Sequence, residues 1–134
     1  MKILIDTNVM ISAALSKSGT PFAAYSKAVC YPNNAFICDK NVEELHRIFE
    51  SKFPERLNDL SEFLNIAAMV IEIVPVPEKE KTEEMKIRDI KDRPIMRAAI
   101  QYDADLVLTG DKDFLESEIK KPKSVTPAEF LEKY

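Results

Sequence analysis

The chain has 134 residues, of which 46% are hydrophobic and 31% are charged, a composition typical of one folded domain rather than of a disordered segment. No apolar run approaches the roughly 20 residues needed to span a bilayer. The net charge of −4 argues against a protein that holds nucleic acid through bulk positive potential. Because Met1 leads directly into a strand-like run and only two cysteines are present, we expect a single cytoplasmic domain over residues 1–134 with reduced thiols.

Strand and helix patterns alternate along the first half of the chain. Short apolar runs predict strands over residues 2–6, 35–38 and 71–74. Apolar residues at helical spacing predict helices over residues 8–15, 21–30, 41–50 and 57–71.

The second half continues the alternation after a charged stretch. Residues 78–91 are dominated by charge, which favours a solvated helix or loop between two elements. Further elements are a helix opening at Asp92, a strand over 105–109, a short helix after Asp111, an edge strand over 123–125 and a last helix from Pro127. This alternation predicts an α/β fold, a three-layer α/β/α sandwich whose central parallel sheet has four to five strands.

Four acids lie where a predicted strand ends or a predicted helix begins. They are Asp6, Glu44, Asp92 and Asp111. Ligands of parallel sheets bind outside the carboxyl ends of the strands, so these side chains are expected to converge at one edge. Carboxylates at close range repel each other, and a divalent cation with oxygen ligands, such as Mg²⁺, would relieve that repulsion.

Each acid also has a structural interpretation. Asp6, Asp92 and Asp111 are well placed to cap the helices that follow them. Glu44 could complete a capping box that begins at Asn41. Four caps at four such positions are a less economical account than one metal site.

Two segments carry a resemblance to a known family. Residues 3–13 (ILIDTNVMISA) resemble the opening of PIN-domain nucleases, in which Asp-Thr-Asn follows the first strand. Residues 87–115 (IRDIKDRPIMRAAIQYDADLVLTGDKDFL) are similar to the second half of that family, in which an acid opens a helix and further acids follow the next strand. The resemblance covers the whole chain and implies a PIN-like α/β/α fold. Within the family, the chain resembles members described as possible toxin components of toxin–antitoxin pairs.

The resemblance also implies a site and a chemistry, that of a divalent-metal-dependent endoribonuclease using Mg²⁺ or Mn²⁺. Its four acids match Asp6, Glu44, Asp92 and Asp111. An additional acid matches Asp113, and polar positions that support the carboxylates match Asn8 and Thr109. Asp89 competes with Asp92 for the third position, and we prefer Asp92 because it directly precedes the amphipathic helix. An antitoxin partner and a homodimer are likewise implied by the resemblance alone.

Basic residues beside these acids are candidates for contacts with the RNA backbone. Arg93 follows Asp92 and Lys112 follows Asp111, so both are predicted to contact phosphates. No side-chain nucleophile competes with metal-activated water, since His46 lies two residues from Glu44 and hence on another helix face.

Two other functions stay open at the level of sequence. One is a catalytically inactive PIN-like module that binds RNA or protein. The other is a phosphoryl-transfer domain of the receiver or haloacid-dehalogenase type, which also places acids at strand ends. The second type expects another aspartate two residues after the first, where this chain has Asn8.

Overall fold

Five parallel strands form one sheet at the centre of the computed structural model, which describes residues 1–134. They are β1 (Lys2–Ile5), β2 (Asn34–Cys38), β3 (Ile71–Val74), β4 (Leu106–Leu108) and β5 (Lys123–Val125). Their order across the sheet is β3-β2-β1-β4-β5, and every neighbouring pair is parallel. β1 is therefore the middle strand, and β5 lies at an edge as the sequence predicts.

Seven α-helices connect and cover the strands. They are α1 (Thr7–Leu15), α2 (Thr20–Val29), α3 (Asp39–Lys52), α4 (Leu57–Ala67), α5 (Arg93–Gln101), α6 (Lys112–Leu115) and α7 (Pro127–Lys133). Three short 3₁₀ turns cover Pro54–Arg56, Glu83–Lys86 and Ile90–Asp92. None of the helices combines the length and the apolar character that crossing a membrane requires.

Side chains of the central strands alternate between two hydrophobic cores. Ile3 and Ile5 of β1 belong to a cluster of 19 buried residues shared with α1, α2, α3, α4 and α7. Leu4 points the other way, into a cluster of 13 buried residues shared with α5 and α6. Because consecutive strand residues face opposite sides of a sheet, helices can bury both faces. The predicted α/β/α sandwich is confirmed.

The sheet is built outwards from β1 in two directions. β2 and β3 add to one side of β1, and β4 and β5 then add to the other side. In parallel sheets a crevice opens at the carboxyl ends where the strand order reverses, here between β1 and β4. Asp6 follows β1 and Thr109 follows β4 at this crevice, and the Asp6 amide donates to the Leu108 carbonyl at 2.9 Å.

The sequence predicts that the charged stretch before α5 is a solvated connection, but part of this stretch is buried in the structure. Glu84 and Ile87 are both fully buried. The Arg97 guanidinium of α5 donates to both carboxylate oxygens of Glu84 at 2.9 to 3.2 Å, and the Lys81 amide donates to the same carboxylate at 2.7 Å. Burial raises the pKa of Glu84, but the hydrogen bonds and charge of Arg97 outweigh it and leave the pKa below its usual value.

We expect Arg97→Met to destabilise the fold by roughly 3 kcal/mol, because it leaves the buried Glu84 carboxylate without its cation. Arg88→Met is the matched control, since Arg88 forms only exposed ion pairs, with Asp113 and Glu116, which contribute about 1 kcal/mol or less. Urea unfolding at neutral pH measures both free energies of unfolding. Equal losses for the two variants would show that the Glu84–Arg97 pair does not anchor this segment.

Candidate metal centre

The Thr109 hydroxyl links the acids that follow the two central strands. Its Oγ1 accepts a hydrogen bond from the Asp111 amide at 3.0 Å and donates to Asp6 Oδ2 at 2.7 Å. Because the oxygen accepts from an N–H group, its single proton is left for the Asp6 carboxylate. Asp6 is 5% exposed, and its other oxygen accepts from the Thr7 amide at 2.8 Å.

A second threonine orients Glu44 in the same way. Thr7 Oγ1 accepts from Asn41 Nδ2 at 2.9 Å and donates to Glu44 Oε1 at 2.7 Å. Asn41 is itself held, because its Oδ1 accepts from the Cys38 amide at 2.9 Å. This chain of hydrogen bonds joins the end of β2 to the start of α1 and brings Glu44 to the edge where Asp6 lies.

Helix capping explains two of the four acids and not the other two. The capping box of α3 joins Cys38 and Asn41, so Glu44 does not belong to it. Asp92 precedes α5 but its side chain makes no capping hydrogen bond. Asp6 and Asp111 do cap, each with its Oδ1, on the amides of Thr7 and Asp113. Capping accounts for one oxygen of each of these two carboxylates and for neither Glu44 nor Asp92.

The pKa values of two of the acids are raised by burial and, to a smaller extent, by neighbouring carboxylates. Burial raises the pKa of Asp6 to about 6 in spite of the hydrogen bonds from Thr109 and Thr7, and the charges of Glu44 and Asp111 add to the rise. Burial also raises the pKa of Asp92 to about 7, and the negative charges of Asp111, Asp6 and Asp89 contribute. Asp6 thus interacts electrostatically with Glu44, Asp92 and Asp111, and one basic group lies beside them, the Arg47 guanidinium at 4.0 Å from Glu44 Oε2.

The structure separates Asp92 from its competitor Asp89. Asp89 is exposed, and its carboxylate caps the following 3₁₀ turn through the Lys91 amide at 3.0 Å. Asp92 is half-buried, and the negative charges of Asp111 and Asp6 contribute to its raised pKa. Oxygens of Asp89, Asp92 and Asp113 lie within 4.8 Å of one another, and this group does not include Asp6, Glu44 or Asp111. The preference for Asp92 over Asp89 stays a prediction.

The donor set fits a hard divalent cation. All side chains offered are carboxylates, and Mg²⁺ or Mn²⁺ prefers oxygen ligands. The two threonine hydroxyls hold Asp6 and Glu44 in orientation, which is the support that ligating carboxylates need. A bound cation would also stabilise the ionised forms of Asp6 and Asp92 and so lower their pKa values.

Comparison with known proteins identifies the family. The model of the PIN domain family matches residues 2–113. The chain belongs to the PIN domain family. No curated protein matches the sequence.

Solved structures share the fold of this PIN domain. One is the crystal structure of VapBC2 from Rickettsia felis bound to a DNA fragment from their promoter. A chain of that structure superposes with a TM-score of 0.70 at 18% sequence identity, over 94% of this chain and 98% of that chain. At this identity the match establishes the fold.

The other predicted residues of this PIN domain differ in their surroundings. Asn8 does not touch a carboxylate; its Oδ1 accepts from the Gly110 amide at 3.2 Å and so holds the turn after β4. The Arg93 guanidinium donates to the carbonyls of Ile87 at 2.9 Å and Met85 at 3.5 Å. Arg93 therefore anchors the preceding segment, whereas Lys112 is exposed beside Asp111. The RNA contacts of both basic residues stay predictions.

Sequence reasoning missed three residues that shape the site. Thr7 and Asn41 orient Glu44, and Arg88 pairs with Asp113 at 2.9 Å. Thr7 could have been found as the middle residue of the Asp-Thr-Asn motif. The sequence pattern around Asn41 indicates only a helix cap. Its contact with Thr7, 34 positions away, produces no local pattern in the sequence. Arg88 likewise contacts an acid 25 positions away.

In the absence of divalent metal, we expect the PIN domain to lose stability as pH rises from about 4 to about 7. Burial and, after it, the neighbouring carboxylates raise the pKa of Asp92 to about 7 in the folded protein, so the folded protein binds more protons than the unfolded chain in this window and unfolding is favoured as pH rises. Asp92→Asn removes the contribution of Asp92 and leaves that of Asp6, whose pKa is also raised, so the stability advantage of the variant over wild type should grow to about 2 kcal/mol by pH 8, a value reduced for partial exposure.

Urea unfolding in EDTA between pH 4 and pH 8 measures this difference. Asp103→Asn is the control, because Asp103 is exposed and lies in the loop before β4, at the opposite edge of the sheet. An advantage of Asp92→Asn that does not change with pH would contradict the crowding of the carboxylates.

Proposed function

We propose that this PIN domain is a divalent-metal-dependent endoribonuclease that hydrolyses RNA phosphodiester bonds. One observation carries the proposal, namely the convergence of buried Asp6 with Glu44, Asp92 and Asp111 where the strand order reverses. Burial and neighbouring negative charges raise the pKa values of Asp6 and Asp92, which costs stability at neutral pH, so the cluster points to a functional role.

The four central acids would hold Mg²⁺ or Mn²⁺, with Asp113 at the border of the site. A bound divalent ion supplies acidified water and neutralises charge that develops on a phosphate. The Thr109 and Thr7 hydroxyls direct their protons at Asp6 and Glu44 and so keep both carboxylates in place. Arg88 neutralises Asp113 and Glu116 at the outer side of the site.

The chain's own side chains support hydrolysis by water rather than covalent catalysis. His46 is exposed, and its Nδ1 contacts the Val42 carbonyl at 2.9 Å instead of any acid of the site. Burial raises the pKa of the Cys38 thiol to about 11, so this group is protonated at neutral pH and is a poor nucleophile. With neither group activated, the attacking oxygen must come from solvent.

The finer biological role is also a proposal. A solved structure with the same fold is VapBC2 bound to a promoter DNA fragment, which supports a toxin role with an antitoxin partner for this chain. We further infer that the protein acts in the cytoplasm as a homodimer. Both cysteines are unpaired in the structure, in keeping with a reducing compartment.

We expect Asp6→Asn and Asp111→Asn each to lower Mg²⁺- or Mn²⁺-dependent cleavage of single-stranded RNA by at least about 100-fold, because each removes a charge from the proposed metal site. Asparagine retains the capping oxygen at both positions, so the variants should stay folded. Gel analysis of a labelled RNA after incubation with each purified protein measures the rate. Asp103→Asn makes the same chemical change at the opposite edge of the sheet and should cleave like wild type.

Cleavage of RNA by Asp6→Asn at the wild-type rate would remove these acids from the mechanism. Cleavage of a small phosphate ester by wild type, without cleavage of RNA, would favour a phosphoryl-transfer domain.

We expect Mn²⁺ or Mg²⁺ to stabilise the wild-type protein by about 2.7 kcal/mol at an ion concentration 100 times Kd. Thermal unfolding at pH 8 with increasing ion concentration measures the shift. Asp92→Asn should lose most of it and Asp103→Asn should keep it. No shift with either ion would favour a PIN-like binding module without catalysis.

A further inference from the structure

A cavity beside the edge strand β5 concentrates positive charge in an otherwise acidic chain. We call it the lysine cavity; its volume is about 670 Å³ and its charged lining residues are Lys86, Lys120, Lys123 and Glu118. These side chains sum to a net charge of +2, whereas the whole chain carries −4. A local positive surface in an acidic protein is the electrostatic signature of an anionic ligand.

The lysines are available to such a ligand. Lys120 forms no salt bridge, while Lys86 pairs with Glu83 at 3.0 Å and Lys123 pairs with Glu129 at 3.7 Å. All three lysines are exposed. Exposed ion pairs contribute about 1 kcal/mol or less, so a phosphate can replace the glutamate partners at small cost.

A serine in the cavity wall provides a second, independent observation. Ser124 Oγ is the only buried side-chain nitrogen or oxygen atom in the structure without a hydrogen-bond partner. Buried polar groups without partners are rare in folded proteins and destabilise them. Because Ser124 has no partner to lose, its hydroxyl can turn to a ligand in the cavity without breaking a hydrogen bond inside the protein.

Helix α6 connects the lysine cavity to the proposed metal centre. Asp111 caps the start of α6, and Phe114 and Leu115 at its end line the cavity. The four residues of α6 extend over roughly 6 Å at a rise of about 1.5 Å per residue. Arg88 lies along the same helix, contacting Asp113 at 2.9 Å and Glu116 at 3.1 Å. Basic groups thus follow α6 from the acids to the cavity.

The lining of the cavity distinguishes a phosphate backbone from a protein segment. Its apolar residues include Phe114 and Ile119, which are 1% and 6% exposed because they belong to the core under the sheet. Protein partners bind chiefly through apolar anchors that fill pockets, whereas only three of the nine residues that line this cavity are hydrophobic, namely Phe114, Leu115 and Ile119. Ammonium and hydroxyl groups remain, and these are groups that contact phosphates.

We propose that the lysine cavity binds the phosphate backbone of single-stranded RNA on one side of the bond to be cleaved. Lys86, Lys120 and Lys123 neutralise phosphates, and Ser124 donates a hydrogen bond to one of them. The proposal rests on the proposed function, since it describes how the substrate of that site is held.

A salt titration of RNA binding tests the lysines. Lys120→Gln/Lys123→Gln is compared with Lys17→Gln/Lys52→Gln, which removes the same charge from two exposed lysines that form no salt bridge and do not line the cavity. All proteins also carry Asp111→Asn to prevent cleavage, and fluorescence anisotropy follows a labelled RNA oligonucleotide. The cavity variant should bind about tenfold more weakly at low salt, with a log–log salt slope reduced by about 1.4; the control should not change.

Ser124→Ala separates a binding role from a structural one. The affinity for RNA should fall about three- to tenfold, because a hydrogen bond to a charged phosphate is lost. The midpoint of urea unfolding should not fall, because the hydroxyl has no partner in the free protein. Ser61→Ala, at an exposed position of α4, should change neither quantity. Unchanged affinity in Ser124→Ala would remove the serine from the proposal.

The outcomes separate this inference from the nuclease assignment. Equal binding and equal salt slopes for the two lysine-pair variants would overturn the inference, whatever Asp6→Asn does to cleavage. Lysine-dependent RNA binding by a protein that cleaves no RNA would support the inference and overturn the nuclease. Poly-glutamate binding as tightly as RNA, and equally dependent on Lys120 and Lys123, would favour an acidic protein segment and overturn the RNA assignment.

Discussion

Burial of carboxylates at the reversal point of the sheet, together with their mutual repulsion, is the constraint on which the rest of this structure depends. Asp6 is almost fully buried, and its pKa is raised to about 6 although two hydrogen bonds stabilise its charged form. The Thr109 hydroxyl and the Thr7 amide hold the Asp6 carboxylate, and the Thr7 hydroxyl holds Glu44. In each threonine an N–H group occupies the oxygen, so the hydroxyl proton is left for an acid. The surrounding chain is organised to keep charges close that would otherwise separate.

The layers around the site divide this task. The larger core under α1 and α3 fixes Asp6 and Glu44, because the Asn41–Thr7–Glu44 chain of hydrogen bonds ties these two helices together. On the other face, the buried Glu84–Arg97 pair anchors the segment that leads into Asp92. Asp6 and Glu44 therefore depend on one core and Asp92 on the other. A substitution in either core is expected to shift acids of the same site.

Charge is distributed unevenly over the surface as a consequence. Acids occupy the crevice, and basic residues follow α6 away from it towards β5. In the function proposed above, a chain with a net charge of −4 would bind a polyanion locally, through metal at the crevice and lysines beside it. The overall acidity reflects the crevice and says little about the ligand.

The sequence by itself determined the layered α/β fold and the candidate acids, because apolar periodicity and residues at strand ends are local signals. It also ranked Asp92 above Asp89 from its place before α5. Only the tertiary structure decided what holds the acids. Thr7 and Asn41 meet across 34 positions, and Glu84 is buried in a stretch whose composition predicts solvent exposure. Such contacts depend on which strands become neighbours and on partners such as Arg97, which no local pattern encodes.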